Sequence, residues 1–199
     1  IFDECTSGFR PCFGGLHLKY KVNPDIAIFG KALGNGYAIN AIIGKREVME
    51  SLNGTFVSST FWTERIGSIA GLETLKMMQK LKSWETITKI GLKIKENWMK
   101  LAKLHSLKIN IQGLDALPNF YFESHNHNLY KTFISQEMLK KGFLSSNLIY
   151  LSTKHSIKII DKYLYHLEKV FSKIKNTPIN KIKKLLKGSI SHNTFKRLN

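Results

Sequence analysis

The sequence predicts an α/β protein in which helices pack against a parallel or mixed sheet. A short, continuous apolar run, Ile26–Phe29, is typical of a strand that is buried on both faces of such a sheet, and a second apolar run covers Ala38–Ile43. Two longer segments, at about residues 87–101 and 157–174, repeat apolar side chains every three or four positions, as amphipathic helices do. Because strand and helix patterns alternate along the chain, we expect an α/β architecture.

Apolar and turn-forming residues set the order of elements in the first part of the chain. The first two residues are apolar and lead directly into Asp3 and Glu4, as at the end of a strand. A loop that contains glycines and a proline follows over 8–15, and Gly34-Asn35-Gly36 separates the two apolar runs. A Ser/Thr-rich stretch then precedes a helix that we predict over 64–81.

The second part alternates helices and strands. After the helix over 87–101, we predict a strand at Asn119–Glu123, a helix at Phe133–Lys141, a strand at Leu148–Thr153 and a long helix over 157–174. Gly142 is typical of a residue that ends a helix. Thr177-Pro178 is expected to break the last helix and to leave a basic amphipathic piece after it.

Composition limits the class of protein. Of the 199 residues, 43% are hydrophobic and 11% aromatic, which is enough for a packed core and excludes a wholly disordered chain. The uncharged run Ala32–Gly44 is shorter than the roughly 18 residues that a membrane span requires, so we expect no membrane partner. Cys5 and Cys12 lack the spacing of a zinc site or a disulfide framework, so we expect no metal and a cytoplasmic location.

The net charge of +17 is concentrated in the second part of the chain. Residues 1–78 hold 8 basic and 7 acidic residues, whereas residues 79–199 hold 23 basic and 7 acidic residues. Such a surface can bind nucleic acid or another anionic partner. Since the basic residues are nearly all lysines on helical patterns, without a stacking aromatic motif, we expect a solvated surface and no nucleic-acid partner. A non-catalytic basic interaction module stays an alternative hypothesis.

Lys31 and Asp3 each follow a predicted strand. Open α/β sheets place ligands at the carboxyl ends of their strands, so both side chains stand where a ligand would lie. Taken alone, Lys31 is typical of a surface lysine and Asp3 of a loop residue. As a pair they supply what pyridoxal 5′-phosphate (PLP) requires of a protein, which is an amine for a Schiff base and a carboxylate for the ring nitrogen.

Several motifs surround this pair in a fixed order. They are Asp3-Glu4, Gly8-Phe9-Arg10, Gly14-Gly15, Asn23-Pro24-Asp25 and Phe29-Gly30-Lys31-Ala32-Leu33-Gly34-Asn35-Gly36-Tyr37. In residue type, order and spacing they resemble the class III PLP-dependent aminotransferases. The variant with Gly8-Phe9-Arg10 is most similar to the glutamate-1-semialdehyde 2,1-aminomutase branch. The resemblance covers about residues 1–175 and is most specific over the first 80.

The resemblance implies fold type I of the PLP-dependent transferases, with Lys31 as the Schiff-base lysine and Asp3 facing the pyridine nitrogen. It implies that Cys5 packs against the ring; a small buried hydrophobe is the alternative interpretation. Thr60 matches a threonine that reaches the cofactor phosphate of the neighbouring subunit, which implies a homodimer with active sites at its interface. A solvated loop residue is the alternative for Thr60. The expected reaction is amino-group transfer between an amino donor and a carbonyl acceptor.

The resemblance also divides the chain. Residues 1–85 are expected to be the C-terminal part of the large PLP-binding domain, and residues 86–176 the small C-terminal α/β domain. Residues 177–199 are then a basic C-terminal extension. The phosphate loop, the stacking aromatic and most of the sheet belong to the first half of the family's subunits. We therefore expect this chain to depend on a missing N-terminal half.

Two stretches depart from the family pattern. After Thr60, Trp62-Thr63-Glu64-Arg65 replaces a Gly-Asn-Pro-like turn, and Gly34-Asn35-Gly36-Tyr37-Ala38 replaces a Gly-Gly-Gly-Met-Pro sequence of the aminomutases. Glu64 and Arg65 either contact substrate or cap and pair at the start of a helix. The aminomutase reaction, which forms 5-aminolevulinate, is therefore the alternative to amino transfer between two substrates.

Overall fold

The computed structural model describes residues 1–61 and 63–192. Trp62 and residues 193–199 of the predicted extension lie outside the described residues. The chain forms two compact units, Ile1–Thr88 and Lys89–Asn199. That these units belong to a larger cofactor domain and to a small domain stays a prediction. Among the described helices, none combines the length and the apolar character that crossing a bilayer takes.

The first unit contains a three-stranded mixed sheet in the order β1-β2-β3. Strand β1 is Phe2–Asp3, β2 is Ile26–Phe29 and β3 is Ala41–Gly44. β1 runs parallel to β2, and β3 runs antiparallel to it. The strand predicted at 26–29 is thus confirmed, and the next strand begins three residues later than the apolar run predicts.

Only one face of β2 is buried. Ala27 and Phe29 are 3% and 4% exposed and pack with Leu33, whereas Ile26 and Ile28 are half-buried. The expectation of a strand buried on both faces is therefore wrong for the described chain. Successive side chains of a strand point to opposite faces, and this chain packs a core against one of them.

Helices follow the strands in the first unit. They are α1 (Leu16–Lys19), α2 (Arg46–Met49), a 3-10 helix (Glu50–Gly54) and α3 (Ile66–Leu81). α3 confirms the helix predicted over 64–81 and lies close to the backbone before β3. A Cβ on Gly67 would stand 2.4 Å from the carbonyl oxygen of Ala38, so the absence of a side chain permits this approach. Lys82, with a φ of 45°, ends α3 before α4, Ser83–Leu104, begins.

The second unit surrounds an aromatic core. It contains the later part of α4 and a hairpin of two strands, β4 (Ile109–Gln112) and β5 (Asn119–Phe122). Two further helices are α5 (His127–Leu139) and α6 (Ile157–Asn176). Trp98, Phe120 and Phe171 are fully buried, and the Phe120 ring meets the other two edge-on at 4.7 and 5.9 Å between centroids. The Trp98 ring nitrogen donates a hydrogen bond to the buried Tyr163 hydroxyl at 3.0 Å, so these two polar groups of the core are paired.

The strand predicted at Leu148–Thr153 is wrong. Leu148 forms only an isolated bridge with Asn119, and Ile149 N donates to the Pro118 carbonyl at 3.1 Å. The segment then turns, because His155 Nδ1 accepts a hydrogen bond from Ser152 N at 3.0 Å. The sequence interpretation also overlooks β4, although Ile109 and Ile111 alternate with polar residues, and it starts α5 too late.

Part of the predicted C-terminal extension packs into the second unit. Helix α7, Ile179–Leu185, inserts the fully buried Ile182 into the core. The Gln136 side chain donates to the Leu185 carbonyl at 2.9 Å and accepts from Lys187 N at 2.7 Å. The Ser191 amide donates to Thr132 Oγ1 at 2.9 Å. The described part of the extension is therefore an integral layer of this unit.

Candidate active site

Parallel pairing of β1 and β2 brings Asp3 and Lys31 to the same edge of the sheet. Asp3 is the last residue of β1 and lies beside Ile28, and Lys31 follows the end of β2 by two residues. Glu4 N donates to the Ile28 carbonyl at 2.8 Å, which extends the pairing beyond β1. Because parallel strands end at the same edge, the two predicted site residues are neighbours in the fold.

Side-chain alternation places Cys5 and Asn40 over Gly30. Phe29 points into the core, so the next residue, Gly30, faces the other side of the sheet. A Cβ on Gly30 would stand 3.5 Å from Cys5 Sγ and 2.4 Å from Asn40 Oδ1, so glycine makes room for both side chains. We define the open face by Asp3, Cys5, Gly30 and Asn40.

The carboxyl group of Asp3 is held in its ionised form. Its Oδ1 accepts a hydrogen bond from Cys5 N at 2.9 Å. This bond, followed by one from the Cys5 thiol, lowers the pKa of Asp3, and the charge of Lys31 adds to the effect. Asp3 is exposed, so its anion faces outward at the end of β1. Such an anion is suited to hold a proton on a basic ring nitrogen.

The Cys5 thiol stays neutral beside this carboxylate. Burial raises the pKa of Cys5 most, and the hydrogen bond to Asp3 and the Asp3 charge raise it further. Cys5 is half-buried and forms no disulfide. A small neutral thiol next to a glycine gives the open face a flat, weakly polar surface.

Lys31 has a strained backbone and a fixed side chain. Its φ of 44° lies in the left-handed region, which costs a residue with a side chain about 1–2 kcal/mol. Asn35 N donates to the Lys31 carbonyl at 3.0 Å and closes the turn after β2. The Lys31 ammonium donates a hydrogen bond to Thr6 Oγ1. Strain of this kind concentrates at functional sites.

Glu4 supports the site from the core face, and the sequence interpretation misses it. Its side chain is 3% exposed and accepts hydrogen bonds from the Ser7 hydroxyl and from His17 N, at 2.9 Å for the amide. Burial opposes ionisation, but these bonds and one from Leu16 N outweigh it and lower the pKa of Glu4. Successive side chains of a strand point to opposite faces, so the residue after the exposed Asp3 faces the core. This alternation is the sequence signal that could have identified Glu4 as a buried charge.

Thr60 lies apart from this cluster. It belongs to an exposed loop before α3, and among the described residues no hydrogen bond joins it to Asp3, Cys5 or Lys31. Arg65 takes the position before the first residue of α3 but makes no side-chain capping bond there. The predicted roles of Thr60 and Arg65 are therefore untested within a single chain.

The described residues offer no convergent metal ligands. Within 1–61 and 63–192, no three His, Cys, Asp or Glu side chains come together as a metal ion would require.

A family model and curated proteins match the chain over this site. The model described as Aminotransferase class-III matches residues 1–174. A 3-aminobutyryl-CoA aminotransferase of Cloacimonas acidaminovorans is 35% identical over 132 residues, which are 66% of this chain and 32% of that protein. A glutamate-1-semialdehyde 2,1-aminomutase of Methanocaldococcus jannaschii is 31% identical over 188 residues, 86% of this chain and 44% of that protein. The chain thus spans less than half the length of these relatives.

Solved structures share the fold. The PLP internal aldimine form of the FumI protein of Sphingopyxis sp. MTA144 superposes with a TM-score of 0.79 at 21% identity. The match covers 90% of this chain and 45% of that one. An omega-transaminase of Sphaerobacter thermophilus gives a TM-score of 0.78 at 17% identity, over 85% of this chain and 43% of that one. The fold is therefore that of the PLP-dependent transaminases, fold type I, as the sequence predicts.

Proposed function

Because the chain belongs to the class III aminotransferase family, we propose that it takes part in PLP-dependent transfer of an amino group from an amino donor to a carbonyl acceptor. The observation that carries this proposal is that Lys31 and Asp3 lie at the same edge of the sheet, close enough for the lysine charge to act on the carboxylate. The names of the two relatives above, an aminotransferase and an aminomutase, agree with amino-group chemistry.

The open face fits PLP in its donor set. A carboxylate with a lowered pKa, Asp3, stands beside a neutral thiol, Cys5, and a residue without a side chain, Gly30. These groups suit a flat aromatic ring whose nitrogen carries a proton. Lys31 supplies the amine for the aldehyde group at the edge of the same face. Phosphate contacts are assigned to Thr60 of a partner subunit and to residues that this chain does not contain.

When bound, PLP supplies a ring that withdraws electrons from the carbon bearing the transferred nitrogen. Asp3 holds the proton on the ring nitrogen and so keeps the ring electron-poor. The Lys31 amine would hold the cofactor and would move a proton at the donor carbon. Cys5 supports one side of the ring through its neutral thiol.

The length of the relatives supports a missing N-terminal half, and the family resemblance of Thr60 supports a homodimer. We assign this chain to the second half of a subunit that needs an N-terminal half, and that acts in the cytoplasm as a homodimer with its active sites at the interface. Reading the coding sequence upstream of Ile1 tests this assignment. A phosphate-binding Gly/Ser/Thr loop followed by a stacking aromatic is the expected finding, and a sequence of unrelated composition contradicts it.

Lysine substitution tests the cofactor assignment. With PLP, borohydride reduction of the wild-type protein is expected to leave a pyridoxyl group on Lys31, detected by peptide mass spectrometry. Lys31→Ala should lose this label and all amino transfer, whereas Lys21→Ala, which removes another exposed lysine of the first unit, should retain both. A label that stays on the protein at full stoichiometry in Lys31→Ala contradicts the role of Lys31.

The aminomutase reaction is the second candidate, and the 31% identity to the Methanocaldococcus enzyme favours it. An aminomutase moves the amino group within one substrate. Formation of 5-aminolevulinate from glutamate 1-semialdehyde without any added amino donor or keto acid would select it. A strict need for both added substrates would select amino transfer. Absence of turnover and of PLP capture would instead favour the non-catalytic basic module.

A further inference from the structure

The Lys31 nitrogen has one defined partner among the described residues, and the mechanism above makes no use of it. Thr6 Oγ1 accepts its hydrogen bond across 25 positions of sequence. Thr6 follows Cys5 directly, so the acceptor is carried by the segment that extends β1 beyond Asp3 and Cys5. The contact therefore joins the turn after β2 to the end of β1.

This contact settles where an otherwise mobile side chain lies. The lysine side chain is a flexible stem of four carbons, and an exposed lysine on a turn samples many rotamers. The left-handed backbone at Lys31 directs the side chain, and the Thr6 hydroxyl fixes its far end. From this place the Lys31 charge adds to the lowering of the Asp3 pKa and offsets part of the rise in the Cys5 pKa.

The geometry points to Thr6 as a positioning residue for Lys31. Its hydroxyl keeps the lysine nitrogen at the edge of the open face, where an aldehyde lying against Asp3 and Cys5 meets it. The inference rests on the proposed function, because it concerns the same amine. It adds a residue whose effect is on the rate of covalent capture, since a preoriented nucleophile reacts faster than one that must search.

The capture step balances without a further reactant. The Lys31 ammonium gives one proton to water, and the nitrogen lone pair then attacks the aldehyde carbon. A carbon–nitrogen double bond forms, and the aldehyde oxygen leaves as water with the two hydrogens of the neutral amine. Thr6 is unchanged by the step and loses only its hydrogen bond.

A matched pair of variants tests the inference. Thr6→Val keeps the branched shape and removes the hydroxyl, whereas Thr6→Ser keeps the hydroxyl. The full-length subunit that contains this chain is mixed with PLP and reduced with borohydride at short times, and labelling of Lys31 is measured relative to the exposed Lys21. We expect Thr6→Val to lower this ratio about threefold to tenfold, the range of one lost hydrogen bond. Thr6→Ser should restore it to within about twofold.

A second reagent separates position from reactivity. Formaldehyde with a mild reductant methylates lysines and needs no bound ring, so Thr6→Val should leave the Lys31 to Lys21 ratio unchanged there. If wild type and Thr6→Val give the same Lys31 to Lys21 labelling ratio with PLP, the inference about Thr6 is wrong and the proposed function stands. The same conclusion follows if Thr6→Val lowers this ratio equally with PLP and with formaldehyde. No preference for Lys31 in the wild-type protein overturns the proposed function and the inference with it. Thr6→Ala serves as the variant if circular dichroism shows that valine disturbs the fold.

Discussion

The two units of the chain distribute their apolar and charged side chains differently. In the first unit, β2 buries Ala27 and Phe29 on one side, while Asp3 and Asn40 of the open face are exposed. Ile42 and Phe56 of this unit are also exposed, at 55% and 95%. In the second unit, by contrast, large aromatic and aliphatic residues from four helices and a hairpin are fully buried. These include Trp98, Phe120, Phe133, Leu167, Phe171 and Ile182.

This contrast indicates a division between chemistry and stability. Burial of an apolar side chain contributes about 1.5–3 kcal/mol, so the second unit concentrates the stabilising free energy of the chain. The candidate site instead uses strand ends and a strained lysine, whose polar groups must stay available to a ligand. Substitutions in the first unit should therefore alter reactivity with little effect on unfolding, and substitutions in the second unit should do the reverse.

The largest expected effect tests the first half of this contrast. Asp3→Asn removes the negative charge that holds a proton on the ring nitrogen, so we expect amino transfer by the holoenzyme to slow about a thousandfold. The decrease should appear in kcat, measured with saturating amino donor and keto acid. PLP capture by Lys31 and the urea midpoint should change little.

Asp25→Asn is the matched control for this prediction. Asp25 is exposed and pairs with Lys45 at 2.7 Å in the same unit, away from the open face. An exposed pair of this kind contributes little to stability because solvent screens it, so activity should be retained. A similar loss of activity in both variants would remove the special role of Asp3.

The second prediction concerns the core of the second unit. Leu167→Ala leaves a cavity at a position with no solvent exposure in α6, and we expect it to lower the free energy of unfolding by about 2–4 kcal/mol. Urea unfolding followed by circular dichroism measures the loss. The Lys31 to Lys21 labelling ratio with PLP should stay at the wild-type value under native conditions.

The exposed Leu139, at the end of α5, supplies the control. Leu139→Ala should change the free energy of unfolding by less than about 0.5 kcal/mol. If Leu167→Ala left stability intact but abolished labelling of Lys31, the proposed division between the two units would be wrong.

The same contrast explains which features the sequence could reveal. Asp3 and Lys31 are recognisable because strand ends, glycines and turn residues are local signals, and parallel pairing then brings the ends together. Alternation after Asp3 could place Glu4 on the core face, but its partner His17 is set by the folded loop. Thr6 is not recognisable, because its partner Lys31 is likewise set by the folded loops. Residues 148–153 look like a strand because they begin with four apolar residues. Their contact is confined to the start of β5, where the Phe120 amide donates to the Asn147 carbonyl and the Ile149 amide donates to the Pro118 carbonyl.

The smallest predicted effect compares Asp3 with Glu137, a carboxylate of the second unit that is also ionised. Glu137 is 8% exposed, and its carboxylate accepts hydrogen bonds from Lys140 and, at 2.7 Å, from Lys173. Burial opposes its ionisation, but the two lysines and Gln136 outweigh burial and lower the pKa of Glu137 from 4.5 to about 2. A backbone amide sets the pKa of Asp3, whereas packing between α5 and α6 sets that of Glu137.

Glu137 should consequently affect stability and its pH dependence, and not reactivity. A carboxyl group with a lowered pKa in the folded state stabilises the fold fully above its unfolded pKa of 4.5, and this contribution disappears as the pH falls to about 2. Glu137→Gln should therefore cost about 1–2 kcal/mol at pH 7, a value reduced by the partial exposure of both lysines. The difference between wild type and variant, measured by urea unfolding, should shrink steadily between pH 4.5 and 2. A difference that stays constant with pH would mean that the Glu137 charge contributes nothing, and that shape alone holds α5 against α6.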